Sequence, residues 1–408
     1  MTAVPAITLS EAERLDAEDV LGHFRTRFVE PADAGIVAYL DGNSLGRPPK
    51  ATLERWSALG RGEWGTRLIR AWSEGWMELP EQIGDRLGQA ALGAAPGQVV
   101  IADSTSVCLY KLLRAAVAMR PGRTEIVTDR HNFPTDNYVV QGIAAELGLT
   151  VRWIDTDPDG GVSVDQVAAE LSERTAVVTL SHVAYRSAWI ADLPGITAAA
   201  HAQGALVVWD LCHSVGSIPV ELDADGVDFA VGCSYKFLNG GPGAPAFVYV
   251  RAEHQEQFRQ PVWGWMGGAD PFAMEHGYQP ATGIRRALSG TPPITGMVGV
   301  DEGVKLVAEA GIQRIREKAV ALGEMVIGLA DEWLSPLGVR VASPREAGRR
   351  GGHVTLARDD APDLAKRLID AGVVIDFRPP DGIRVGLSPL TTGFAETWRA
   401  MEKFRRLS

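Results

Sequence analysis

Cysteine is scarce in this sequence, with only Cys108, Cys212 and Cys233 in 408 residues. None stands in C-x-x-C spacing, so neither a disulfide framework nor a thiolate metal centre is expected. Each lies in apolar or strand-end surroundings and is expected to be buried and reduced. Long hydrophobic runs are missing as well; no stretch approaches the length that spans a bilayer. The opening MTAVPAITLSEAERLD has no basic segment leading into an apolar one, so no secretory leader is expected and the cytoplasm is the expected location. Basic excess is also lacking. A formal net charge of −11 argues against a nucleic-acid partner, whose footprint is basic, while leaving room for a local basic pocket. No G-x-G-x-x-G fingerprint follows the first strong strand, and neither a metal site nor a nucleophile elbow is expected.

What is present is ordinary globular material, 46% hydrophobic and 22% charged. A chain this long exceeds one core, so two lobes are expected: an arm at 1–48, a large domain at 49–293 and a small domain at 294–408. Ser10 and Glu13 form a capping pattern before a helix expected to run to about Val29. An extended piece covers 37–40, and Pro48-Pro49 are placed to open a helix carrying Leu53 and Trp56. Apolar β-type runs then recur at 99–102, 125–128, 150–154, 175–180, 205–210, 227–232 and 246–250. Helical segments such as 137–147 and 164–171 separate the earlier ones. The pattern predicts an α/β fold with a mostly parallel sheet covered by helices on both faces. After Pro292-Pro293 come a long helix at about 295–334 and a smaller α+β unit.

Ligands of such sheets gather where the strands end, so the residues following each run carry the functional reading. After VVIA come Asp103, Ser104, Thr105 and Ser106 before a helix; hydroxyls and amides there suit a phosphate, although plain helix capping explains them equally. After EIVT, Phe133 precedes a proline at a helix start and can stack on a flat heterocycle, or simply join the core. ALVVWD ends in Asp210, with His213 beyond. A carboxylate at the end of an apolar strand needs a partner, and a protonated pyridine nitrogen is one; a cap or a surface ion pair is another. Lys236 follows a buried strand and precedes Asn239-Gly240-Gly241-Pro242-Gly243. A lysine amine that sheds its proton among apolar neighbours can form an imine; taken alone, this one also reads as an exposed loop lysine. The four together, in this order and spacing, point to a fold-type I pyridoxal-phosphate enzyme.

YLDGNSLGRPP (39–49), HNFPTDNY (131–138), WDLCHSVG (209–216), CSYKFLNGGPG (233–243), GWMGG (264–268), SGTPPI (289–294) and GIRVGLSPL (382–390) together resemble kynureninases, over nearly the whole chain. The resemblance implies a fold-type I, class V aminotransferase-like architecture. It also implies pyridoxal phosphate as cofactor and hydrolysis of L-kynurenine to anthranilate and L-alanine, in tryptophan breakdown or NAD supply. It implies that Thr105 and Ser106 bind the phosphate, that Phe133 stacks on the pyridine, and that Asp136, Ser181, Asp210 and His213 surround the ring. Lys236 would carry the imine, and Tyr235 would contact the phosphate region and act as an acid. Trp265 and Thr291 would complete the phosphate site of a neighbouring subunit, which implies a homodimer. Arg384 would bind the substrate α-carboxylate. Ser44, Trp64 and Gly290 would line the aryl pocket, with Gly290 favouring kynurenine over its 3-hydroxy derivative.

Met266 and Gly268 depart from the family pattern, as does Ala188 where a glycine is common; these bear on the aryl pocket rather than on the reaction. Two alternatives remain open on these residues. One is another reaction on the same scaffold, a cysteine desulfurase or a class V aminotransferase. The other is a non-catalytic cofactor-binding regulator.

Overall fold

The apolar runs between residues 99 and 250 all become strands. Helices on both faces bury every side chain of those at 99–102, 206–210, 229–232 and 246–250. The run at 150–154 lies at the sheet edge and alternates exposed and part-buried residues before the buried Ile154. The computed structural model describes residues 7–32, 35–273 and 276–408, so the first six residues of the opening stretch lie outside the described residues. In chain order the strands are β1 Ala38–Tyr39, β2 Val99–Ala102, β3 Glu125–Asp129, β4 Thr150–Ile154, β5 Thr175–Ser181, β6 Leu206–Asp210, β7 Phe229–Gly232 and β8 Ala246–Val250. β9 Arg340–Val341, β10 His353–Ala357, β11 Val373–Val374, β12 Asp376–Arg378 and β13 Gly382–Gly386 follow. β2 to β8 make one sheet in the order β2-β8-β7-β6-β5-β3-β4. Within it β8 alone runs against its neighbours. The fold is the α/β, mostly parallel architecture that the spacing of the runs predicts.

Two helix expectations are corrected. The first helix is Leu9–Glu18, capped by Thr8, whose hydroxyl accepts from the Glu11 amide, and not by Ser10. It stops well short of Val29 because Asp19 turns outward: its carboxylate accepts from the Leu21 amide and pairs with the buried Lys318. A short 3-10 turn, Gly22–Arg27, then follows. The long helix expected near 295–334 is two helices, Ile294–Ala310 and Ile312–Leu329, because Gly311 at φ 81° leaves the helical region.

Apolar packing gathers around two sheets. The large sheet is sandwiched by the helices Thr105–Ala118, Pro134–Leu147, Leu193–Ala202 and Ile294–Ala310. The second cluster surrounds the four-stranded sheet β12-β13-β10-β9 and takes in Ala12, Ala38 and Leu40 from the start of the chain. Met297, Val300, Val304 and Val307 of the helix Ile294–Ala310 pack into the large-sheet cluster. The other face of that helix bears glycines. A Cβ at Gly299 would meet the Gly240 carbonyl oxygen at 2.2 Å, and one at Gly303 would meet that of Leu238 at 1.7 Å. Only glycine lets this helix press directly on the loop that follows Lys236.

At the sheet end remote from that loop, Asp228 accepts from the Val207 amide at 2.8 Å and faces His201 Nε2 at 2.8 Å and His254 Nε2 at 2.7 Å. Burial pushes its carboxyl up, but the two imidazoles outweigh that and hold it at about 2, against an ordinary 3.8. A depressed carboxyl contributes stability that is complete above its unfolded value and is lost as pH falls through the folded one. Asp228→Asn should therefore cost about 2 kcal/mol at neutral pH. The gap between the urea midpoints of variant and parent should close as pH falls from about 4 towards 2.

Candidate active site

Parallel strands that start together also end together. The C-terminal ends of β2, β3, β5, β6 and β7 therefore bring Thr105 and Ser106, Phe133 and Asp136, Ser181, Asp210 and His213, and Lys236 to one edge of the sheet. Strained backbone collects there: Asp103, Ala188 and Asn239 all have positive φ, at 38°, 65° and 55°. The φ of Ala188 explains why the family pattern favours glycine at that place. Asn239 turns the chain directly behind the lysine, and its side-chain amide donates to the Phe237 carbonyl at 3.1 Å.

Lys236 is 8% exposed. Its Nζ lies 3.2 Å from His213 Nε2 and about 6 Å from the ring centres of Phe133 (5.9 Å) and Tyr235 (5.8 Å). Burial first, then the Lys236 and Arg384 cations, push His213 far below the ordinary imidazole range, so its ring is neutral and its Nε2 can accept from the lysine. Asp210 accepts from the Cys212 amide at 2.8 Å, and Ser181 Oγ lies 3.0 Å from its other oxygen and 2.6 Å from Asn132 Oδ1. Asp136 is buried beside it. Burial and the Asp210 charge hold the Asp136 carboxyl well above the usual range, which favours its protonated form. Among the described residues its Oδ2 has no hydrogen-bond partner. Burial raises the Tyr235 phenol too, with the Cys233 and Cys212 thiols adding to the push, and the hydroxyl keeps its proton across the physiological range.

Arg384 is reached through Tyr185. The Tyr185 ring meets Phe133 edge-on at 5.4 Å, and its carbonyl accepts from Arg384 Nη1 at 2.8 Å. Arg384 is 1% exposed; its Nη2 donates to Ser44 Oγ at 2.9 Å and also contacts Asp376. Ser44, expected along the aryl wall, stands beside the arginine. The same turn is tied to the lysine loop by the Gly46 amide, which donates to the Tyr235 carbonyl at 2.8 Å. Trp64, Trp265, Gly290 and Thr291 lie apart from this cluster, in exposed positions; Trp64 is 65% and Trp265 41% exposed.

The family model described as Aminotransferase class-V matches residues 92–379. A kynureninase of Pseudomonas fluorescens is 41% identical over 402 residues, covering 97% of this chain and 94% of its own. One of Burkholderia pseudomallei is 40% identical over 405 residues, covering 98% and 95%. The chain belongs to the kynureninase family. Among solved structures, an apo cysteine desulfurase of Thermococcus onnurineus matches with a TM-score of 0.79 at 20% identity, covering 91% of this chain and 94% of that one. A C-DES variant with glycine covalently linked to its PLP cofactor reaches 0.81 at 19% identity, covering 93% and 98%. At such identities these two share the fold, while the kynureninases share the sequence as well.

The residues present fit the kynureninase cofactor, pyridoxal phosphate. Ser104 caps the helix Thr105–Ala118 by backbone shape but makes no side-chain cap hydrogen bond, which leaves that helix start available to a phosphate. The unpartnered Asp136 Oδ2 and Asn132 Nδ2 are buried polar atoms of the kind a ring substituent or ring nitrogen satisfies. Lys236 supplies an amine and Phe133 a flat face. Asn132, Tyr185, Asp376 and Arg378 also stand in this cluster, in contact with Ser181, Phe133 and Arg384 or its partner Asp376, but were not singled out from the sequence. The last two had a signal: alternation in VVIDFR, then PPDG, then IRVG spells a hairpin that sets 376 opposite 384.

Two short patterns that do occur are decided by geometry. Asp155-x-Asp157-x-Asp159-Gly160 spells the start of a calcium loop, but Gln166 stands where its closing glutamate belongs. Asp155 pairs with Arg130, and Asp159 with Arg186 and Arg340. Among the described residues no group of three or more histidine, cysteine or acidic side chains could hold a metal ion. Gly42-Asn43-Ser44-Leu45-Gly46 spells a nucleophile elbow, yet Ser44 is paired with Arg384 and Asp376, not with a histidine.

Proposed function

We infer that the protein is a pyridoxal-phosphate-dependent hydrolase that cleaves the Cβ–Cγ bond of L-kynurenine, releasing anthranilate and L-alanine, in tryptophan catabolism. The observation that carries this reading is the 41% identity with a kynureninase across 97% of the chain. Bound pyridoxal phosphate supplies an aldehyde for an amine and a pyridinium ring that withdraws electrons. We propose that Thr105 and Ser106 hold its phosphate, that Phe133 covers the ring, and that Asp210, supported by Ser181 and the Cys212 amide, faces the ring nitrogen. Asp136 and His213 complete the surround. Lys236, as a free amine, would take the Cα proton and return it; the neutral His213 beside it accepts a hydrogen bond without competing for charge. Tyr235, with its proton secure, delivers one to Cβ as alanine forms. Water adds at the γ-carbonyl.

Arg384 takes the α-carboxylate in this scheme. Arg384→Ala should raise KM for L-kynurenine by on the order of a hundredfold while changing kcat less, since carboxylate pairing is made in ground and transition states alike. Steady-state rates across substrate concentration check this. Trp64 and Gly290 form the aryl end, with kynurenine favoured over its 3-hydroxy derivative. We further propose a cytoplasmic homodimer in which the exposed Trp265 and Thr291 serve the partner's phosphate site. Among the described residues no helix is long and apolar enough to cross a membrane. The division into an arm at 1–48, a cofactor domain at 49–293 and a small domain at 294–408 belongs to the same proposal.

The decisive assay incubates the purified holoenzyme with L-kynurenine and follows anthranilate fluorescence together with L-alanine. Formation of glutamate or a keto acid without anthranilate would overturn the reading in favour of an aminotransferase. A desulfurase needs a mobile thiol, and all three cysteines here are buried.

A further inference from the structure

The arginine that this reading assigns to the substrate carboxylate is already occupied. Strand β12 pairs antiparallel with β13 so that Asp376 lies directly across from Arg384. Three donors converge on one oxygen, Asp376 Oδ2: Ser44 Oγ at 2.8 Å, Arg378 Nη2 at 2.7 Å, and Arg384 Nη2. Because Arg384 Nη2 also donates to Ser44 Oγ, both of its hydrogens are taken, and Nη1 serves the Tyr185 carbonyl. Arg384 Nε, Arg378 Nε and Asp376 Oδ1 are buried and, among the described residues, without partners. A carboxylate gripping the Nε–Nη2 edge of the guanidinium, the usual two-point contact, must therefore take over a hydrogen that Asp376 or Ser44 now holds.

We propose that Asp376 is an internal stand-in carboxylate, which the substrate's α-carboxylate displaces from Arg384 and which Arg378 then keeps compensated. The inference rests on the role of Arg384 given above and deepens it. A buried guanidinium without a counter-ion is costly, so Asp376 holds Arg384 in place while the site is empty. The strand register keeps Asp376 close when substrate arrives, and its charge then opposes the newcomer. Arg378 is what makes the exchange tolerable: it already touches the same oxygen, so Asp376 is never left alone. Asp41 lies near enough for Asp376 to push its carboxyl up, after burial itself, which shows how strongly the Asp376 charge is felt within this enclosure. Asp376 and Arg378 are thus positioning residues that set how tightly any amino acid carboxylate is gripped, L-alanine on its way out included.

A purely structural role and an exchange role give opposite signs. Asp376→Asn keeps the shape, leaves an oxygen for the converging donors and removes the competing charge. Removing one close like charge from a partly buried site should tighten carboxylate binding by about tenfold. Arg378→Gln leaves Asp376 with Arg384 as its sole cationic donor, beside the Ser44 hydroxyl, and should loosen carboxylate binding by about threefold or more. The probes are L-alanine and L-alaninamide, titrated into holoenzyme and followed by the cofactor's visible spectrum, alongside KM and kcat for L-kynurenine. The proposal expects opposite shifts for L-alanine in the two variants and no shift for the amide. It is overturned if Asp376→Asn weakens or leaves unchanged the binding of L-alanine, if Arg378→Gln tightens it, or if the amide moves in step. Should the parent protein make no anthranilate yet show the split between L-alanine and its amide, the kynurenine reading fails and the exchange stands.

Discussion

Lys236→Ala is expected to abolish the visible absorbance that the protein shows with pyridoxal phosphate and to lower turnover of L-kynurenine by on the order of a thousandfold or more. Two losses combine. The amine is the only lysine nitrogen placed against both His213 Nε2 and the Phe133 face among the described residues, so no neighbour can form the imine instead. The same nitrogen is the base for the Cα proton, and general-base catalysis alone is worth a factor of about a hundred to ten thousand. Folding should be spared, because among the described residues Lys236 makes no ion pair and its removal leaves the strand β7 and the Asn239 turn intact. An unchanged far-ultraviolet circular dichroism spectrum with a missing visible band is the expected pair of readings. Retained anthranilate formation would refute the assignment.

Asp210→Ala is expected to reduce kcat by about a thousandfold while lowering stability by only about 1 kcal/mol. The stability term is small because the carboxylate holds only neutral donors, the Cys212 amide and the Ser181 hydroxyl, and its interaction with Asp136 burdens that buried neighbour. The rate term is large because a ring nitrogen without a facing carboxylate does not stay protonated, and the electron sink weakens. A second signature accompanies the first. Burial and the Asp210 charge push the Asp136 carboxyl up; without Asp210 that push weakens and the carboxyl titrates lower. The residual activity of Asp210→Ala should therefore rise with pH as Asp136 ionises, and Asp136→Asn added to Asp210→Ala should remove that rise. A flat profile in the single variant would separate Asp136 from the ring.

Much of this was legible in the chain itself, for a physical reason. Buried parallel strands announce themselves as unbroken apolar runs, and the polar residue that ends each run is where the fold delivers chemistry. Asp210 and Lys236 could be read that way because a charge there is anomalous. The helix breaks were harder. Gly311 sits among good helix formers, and only its φ of 81° shows the interruption; the early stop at Glu18 depends on Asp19 finding Lys318 about three hundred residues away. The cluster around Arg384 was legible only through a hairpin pattern that is easily passed over. Asp376 and Arg378 look like solvated alternation on an edge strand, and only the hairpin register turns them onto Arg384. Ser44 likewise reads as a turn residue until β1 and β13 bring its loop over the arginine.

The glycine-bearing face of Ile294–Ala310 has a consequence for how tolerant the centre is to change. Where Gly299 and Gly303 touch the stretch behind the reactive amine, one polypeptide backbone rides on another with no side chain to act as cushion. A single added methyl group there has no rotamer to adopt and no void to enter, so it must shove the amine off its mark by a comparable distance. Random mutagenesis should accordingly find these two places, which carry no reactive group of their own, as unforgiving as the lysine itself.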